Sequence, residues 1–229
     1  MNTIKNLIST VALLAASTLF AQNSNVAPWF NKASEDGPGV IGKRYVDAGF
    51  GLQDPQEYSD VAEAYGLAVN VPLNRNLDVG LSYSYSTLNY TPQGALPGEA
   101  IDANSHSIGT YATVYNTIEK GIKPFLSVNL GTSASSRDFM GGDHGTNYQW
   151  WGLSAGAEFP SKWVSVIASL SYDDDFKRSE FSNQSWTVKT EVNTWITTKI
   201  AGYVGFAYTD PAHNYVNSWT YTIGARLRF

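Results

Sequence analysis

Asp143 and His144 are adjacent, Asp173, Asp174 and Asp175 form a carboxylate triplet, and His213 lies near the end of the chain. A carboxylate can activate water through a neutral imidazole, so these types could support hydrolysis if a fold brought them together. No motif or spacing ties them to one another, and the pattern favours a hydrated acidic rim over a catalytic centre. His106 stands between Ser105 and Ser107, but serine recurs throughout the chain and the adjacency carries little information. The Asp triplet has oxygen ligands for a hard cation such as Ca²⁺. It lacks the spaced Asp-x-Asp-x-Asp-Gly pattern, and Lys177 and Arg178 follow to neutralise it. With no cysteine among 229 residues, disulfides and thiolate metal sites are excluded. The residues therefore predict no catalytic group, no metal and no cofactor.

The elements that would position these groups follow from composition and patterning. Aromatics make up 14% of the chain and charged residues only 15%, well under the roughly 25% of soluble domains. Something other than water must cover part of the surface. Beyond residue 21 no apolar run approaches the ~18 residues of a spanning helix, and the mean hydropathy is -0.22. Low charge without long apolar runs fits strands that alternate. The formal net charge of -5 and the lack of a basic tract exclude a nucleic-acid binder. Residues 1–21 carry Lys5, then an apolar stretch from Val11 to Phe20, then Ala21, the order of a secretory signal peptide. Residues 22–42, with Pro28, Gly37, Pro38 and Gly39, read as an irregular periplasmic segment.

From 43 to 229 the chain breaks into segments of period two bounded by turn residues. Strands are predicted over 43–53, 62–73, 77–90, 104–117, 123–136, 147–159, 163–174, 185–196, 200–209 and 215–229. Most reach the ~9–11 residues of a tilted membrane strand. In the last, Trp219, Tyr221, Ile223, Ala225, Leu227 and Phe229 share one face, and Ser218, Thr220, Thr222, Gly224, Arg226 and Arg228 the other. Only the strand over 104–117 is ambiguous, because Ile108, Ala112 and Val114 compete with Tyr111 and Tyr115 for the outer face. The small, polar faces hold Asp47, Asp78, Glu158, Lys189, Glu191, Arg226 and Arg228, the expected lumen charges. Tyr83, Tyr85, Trp151, Phe159, Tyr172, Trp186 and Tyr208, with Phe50, Trp195 and Trp219, gather near strand ends as interfacial girdles require.

Connections alternate short and long. Lys43, Arg44, Arg75, Lys120, Lys123, Lys162 and Lys199 crowd the short-turn end, where they could meet anionic lipid phosphates. Acidic groups dominate the longer loops, placed around 91–103, 137–146 and 175–184. The expectation is an all-β, transmembrane, up-and-down antiparallel β-barrel of ten strands, with eight as the alternative, closed because an open sheet edge cannot sit in lipid. Closure would pair Asp47 with Arg226, with Arg228 or Asp78 as alternate partner, unless water solvates each charge at that level.

The leader, the meander and the C-terminal strand with Trp219, Tyr221, Leu227 and Phe229 make the chain similar to small bacterial outer-membrane β-barrel proteins. That resemblance implies an outer-membrane location with both termini periplasmic, lipid as the surrounding partner, and a terminal aromatic signal read by the barrel assembly machinery. It is architectural and says little of activity. A soluble lipocalin-like barrel or β-sandwich, apolar face inward, remains the other possibility, although its water-facing side would be short of charge. The functional expectation is a monomer without catalysis, with a structural or surface-interaction role. Two alternatives stay open: a small pore for ions or solutes, and a barrel enzyme. Ten strands with rim Asp and His resemble the omptin proteases, but the chain is shorter and lacks their extended rim. It shows no match to the active-site motifs of lipid A deacylase or palmitoyltransferase barrels.

Overall fold

Only an extended strand segregates large apolar from small polar residues when they alternate one by one. The computed structural model describes residues 39–55, 61–90, 101–139, 142–176, 184–211 and 217–229. They form β1 (Tyr45–Pro55), β2 (Ala62–Asn74), β3 (Leu77–Tyr90), β4 (Ile101–Tyr115), β5 (Lys123–Phe139), β6 (Gly142–Pro160), β7 (Val164–Asp175), β8 (Ser185–Trp195), β9 (Ile200–Pro211) and β10 (Ser218–Arg228). A 3-10 turn, Glu119–Gly121, lies between β4 and β5. Each strand pairs antiparallel with its neighbours in sequence, and β1 closes on β10, giving a ten-stranded up-and-down barrel. The seam runs without a break from Tyr45↔Arg228 to Pro55↔Ser218. Residues 1–38, on which the predicted signal peptide and most of the predicted N-terminal segment fall, lie outside the described residues.

Two boundaries differ instructively from the sequence reading. The predicted loop over 137–146 is almost wholly ladder, with pairs from Ser136↔Gly145 to Phe139↔Gly142. Polar composition suggested a loop there, but backbone pairing between adjacent strands does not itself require an apolar face. β4 likewise begins at Ile101, paired with Tyr90.

The barrel is inside out relative to a soluble one. Val114, Leu126, Val188, Val204, Ile223 and Leu227 are all exposed on the outer wall, whereas Asp78, Glu158, Glu191, Asn193 and Arg226 are buried within. The ambiguity in β4 is resolved the same way: Ile108 and Val114 face out, and Tyr115 is buried in the lumen. Tyr111 turns inward because its ring fills the space beside Gly80, its partner across the ladder, where a side chain would collide with it. Outside, aromatic rings lean on one another around the wall, including Phe50–Tyr65 (5.2 Å), Tyr85–His106 (4.7 Å), Trp151–Tyr172 (5.6 Å), Tyr172–Trp186 (4.9 Å) and Tyr208–Trp219 (4.5 Å).

Candidate functional site

The lumen holds the concentrated chemistry, arranged in two layers near the end that carries the short turns and the start of β1. The upper layer is centred on Arg226. Antiparallel register sets it directly opposite Asp47 across the seam, and its Nε donates to Asp47 at 3.2 Å. Its Nη1 donates to Glu191 Oε1 at 2.6 Å and also to Asn193. Asn193 in turn donates to Glu191 at 3.1 Å. Lys189 Nζ lies 3.1 Å from the other Glu191 oxygen. The guanidinium lies over two rings, Tyr203 at 4.3 Å and Tyr45 at 5.3 Å from ring centre to Cζ. Such stacking suits a planar, weakly hydrated cation in a confined space. Side-chain exposure is 6% for Arg226, 4% for Glu191 and 14% for Asp47, against 48% for Lys189. The centre of the layer is therefore largely buried, while Lys189 is half exposed.

The lower layer is formed by the chain itself. Gly39–Lys43, immediately before β1, turns back into the barrel mouth, and all five residues are buried. Lys43 N–H donates to Val40 carbonyl at 3.2 Å, and Gly42, with φ of 82°, holds the third position. A β-turn with positive φ there favours glycine. Space demands it as well, since a Cβ on Gly42 would come within 2.7 Å of the Tyr115 hydroxyl. Barrel side chains then satisfy the turn's backbone. Glu158, fully buried at 0% exposure, accepts from Val40 N–H at 2.5 Å and Ile41 N–H at 3.2 Å. Asp78 accepts from Gly42 N–H at 2.7 Å and from Asn70 at 3.1 Å. Asn70 donates to Lys43 carbonyl at 2.8 Å, Lys123 to Ile41 carbonyl and Arg228 to Gly39 carbonyl. Successive N–H groups converging on a carboxylate make an anion cradle. Val40 packs on Trp195 and Ala201, with Tyr45 and Ile167 at the edge.

These contacts correct several sequence expectations. Trp195, grouped with the interfacial aromatics, is a lumen residue against which Arg228 stacks at 3.4 Å. Its parity with Glu191 and Asn193 carried that information. Lys43 and Lys123 do not form part of a lipid-facing basic rim: Lys43 is buried, and Lys123 lies 3.5 Å from Glu158. Arg75, Lys120, Lys162 and Lys199 are exposed. Gly39–Gly42, the end of the segment read as periplasmic, belong to the barrel interior. Only the Val-Ile pair between glycines hinted at that, and nothing local could name Glu158 as its partner.

The remaining candidates are dispersed. Tyr83, Tyr85, Trp151, Phe159, Tyr172, Trp186 and Tyr208 share the outer faces of their strands, as do Trp219, Tyr221 and Leu227; Phe229 follows β10 and is exposed. His106 is exposed on the outer wall, 2.9 Å from the Tyr83 hydroxyl. Ser107 points into the lumen, where its hydroxyl accepts from Ser133 and from the Trp150 indole at 3.2 Å. Opposite faces of one strand cannot cooperate in catalysis. Asp143 and His144 lie in the paired part of β6, and His213 lies outside the described residues. Asp174 is occupied by Asp175 N–H at 2.8 Å and Gln184 at 3.2 Å. Among the described residues no group of three His, Asp or Glu side chains could hold a metal.

No protein-family model and no curated protein matches the chain. Among solved structures it is similar to small outer-membrane β-barrels. Neisserial surface protein A is 16% identical, with 81% of this chain and 96% of that one covered and a TM-score of 0.40. The NanC porin is 9% identical over 80% of this chain and all of that one, with a TM-score of 0.48. The translocator domain of the autotransporter NalP from Neisseria meningitidis is 9% identical over 95% and 98%, with a TM-score of 0.47.

Proposed function

We propose that this chain is an integral outer-membrane β-barrel with a sealed lumen, without catalysis, whose acidic long-loop end serves surface interaction. The observation that carries this reading is the outer wall. Among residues with described side chains, its only charges, Asp54, Glu63, Asp102, Asp174 and Asp210, stand at the long-loop rim. Between that rim and the short turns, apart from His106 close below the rim, the wall presents mostly apolar and small uncharged side chains. A soluble monomer rarely exposes a contiguous apolar patch beyond a few hundred Å², and here a band encircles the molecule. Lipid is the solvent that makes such a wall stable.

The two lumen layers support a closed barrel over a pore. In a passage, ionised side chains line an open water column; here Glu158, Glu191, Asn193 and Arg226 are buried across it. With the mouth filled by Gly39–Lys43, the long-loop end is left as the accessible feature. Asp60, Glu99 and Glu180 in its connections give it an acidic bias suited to a basic partner or to a divalent-ion bridge. The short-turn end and both termini are taken as periplasmic. Single-channel recording of the refolded protein in planar bilayers tests the reading. The expected record is flat, and steady currents of reproducible size would replace it with a pore.

A further inference from the structure

We propose that the Gly39–Lys43 turn is a releasable stopper, docked in the barrel mouth and able to leave without opening the barrel wall. The ladder supplies the first argument. Strand pairing around the barrel, including the whole β1–β10 seam, is complete from Tyr45 onward. The turn takes no part in that pairing; its contacts with the barrel include hydrogen bonds to side chains on β2, β3, β5, β6 and β10 and the packing of Val40.

The chemistry of those contacts supplies the second. An apolar plug leaving the lumen would lose its burial and gain nothing. This plug sits on Glu158, Asp78, Lys123 and Arg228, ionisable groups that are desolvated while it is docked. On release they regain water, and the turn's N–H and C=O groups regain it too. Rehydration of buried ions offsets much of what undocking loses, so the docked state is held by a shallower balance than an apolar plug of equal size. The Lys43–Arg44 link to β1 is the hinge about which Gly39–Gly42 leaves its lumen contacts. The Arg226 layer stands behind the turn, so the lumen is sealed twice in series. The reading of the outer surface and this one are separate: the stopper requires only the barrel and its mouth.

The chain contains no cysteine, which makes thiol labelling in the full-length protein clean. Val40→Cys is compared with Ser161→Cys, an exposed position in the short turn between β6 and β7, using a bulky water-soluble maleimide on the refolded protein in detergent micelles. Val40→Cys should label at least ~100-fold more slowly than Ser161→Cys, yet well ahead of global unfolding, which is followed in parallel by gel mobility without heating. Adding Glu158→Gln with Asp78→Asn withdraws carboxylate acceptors from the turn's N–H groups and strands Lys123 in the docked state, a loss larger than the rehydration it forgoes, and should speed Val40→Cys labelling at least ~10-fold while the barrel stays folded. Gly42→Ala, which keeps every lumen charge but clashes with Tyr115, should do the same and serves if the charge variant fails to refold. Labelling of Val40→Cys as fast as Ser161→Cys would show that the turn is not docked. Labelling only at the unfolding rate, unchanged by either variant, would show an integral part of the barrel, and either outcome overturns the proposal.

Discussion

Replacing Arg226 tests whether the upper layer is a dry ion network or a set of separately hydrated charges. Arg226→Gln leaves Glu191, at 4% exposure, and Asp47, at 14%, without their common cation. Lys189 stays 3.1 Å from Glu191 but is half in water, so it compensates only in part. Breaking a buried pair from one side costs ~3–5 kcal/mol. Asp47→Asn keeps an acceptor for the guanidinium and leaves Glu191 opposite it, so its cost should be only ~1–2 kcal/mol, the scale of one charged hydrogen bond. Glu191→Gln lies between, because Arg226 then leans on Asp47 alone. The Glu191→Gln/Arg226→Gln double variant removes both charges, and its amides can still pair. Its cost should fall short of the sum of the singles by about 3 kcal/mol, roughly a hundredfold in the folding constant. Equilibrium urea refolding into micelles, read by tryptophan fluorescence and gel mobility, gives all four values. A coupling under ~0.5 kcal/mol, or an Asp47→Asn loss equal to that of Arg226→Gln, would mean that water screens these groups, and the dry layer would be wrong.

Other expectations follow from the wall and the lumen packing. Val204 and Ile223 are paired on the outer face at mid-strand and more than half exposed; arginine at either should cost ~2–4 kcal/mol in refolding into lipid, and a small loss would place them outside the membrane core. Spin labels on the same two positions should relax with oxygen, which partitions into lipid, and not with a water-soluble nickel chelate. Gly131 abuts Trp150, and a Cβ there would overlap the indole while meeting the Ile108 carbonyl at 2.8 Å; Gly131→Ala should cost ~1–3 kcal/mol by overpacking and change the near-UV circular dichroism, whereas an unaltered spectrum would show the ring to be free.

The sequence by itself determined the local conformation and the two faces of nearly every strand. Trp219 to Phe229 against Ser218 to Arg228 is legible because a strand's side chains alternate whatever they pack against. Period two also pointed to ten strands, since each run is bounded by turn residues, but left eight open until the closed sheet decided for ten. It could not say which face meets the outside, because alternation is symmetric between a soluble barrel and one turned inside out; the closed sheet with Val204 outward and Glu191 inward decided that. Polar composition misled over 137–146, where pairing between backbones persists without any apolar signal. Trp195 is a mixed case: its parity pointed inward, while its position near a strand end pointed to the membrane interface, and Val40 arriving from outside the strands settled it. The lower layer was invisible for a more general reason. Glu158 and Val40 are far apart in the chain, and no periodicity relates a turn's N–H groups to a carboxylate on another strand. That contact exists only once ten strands have closed and brought β6 over the mouth where the chain enters β1.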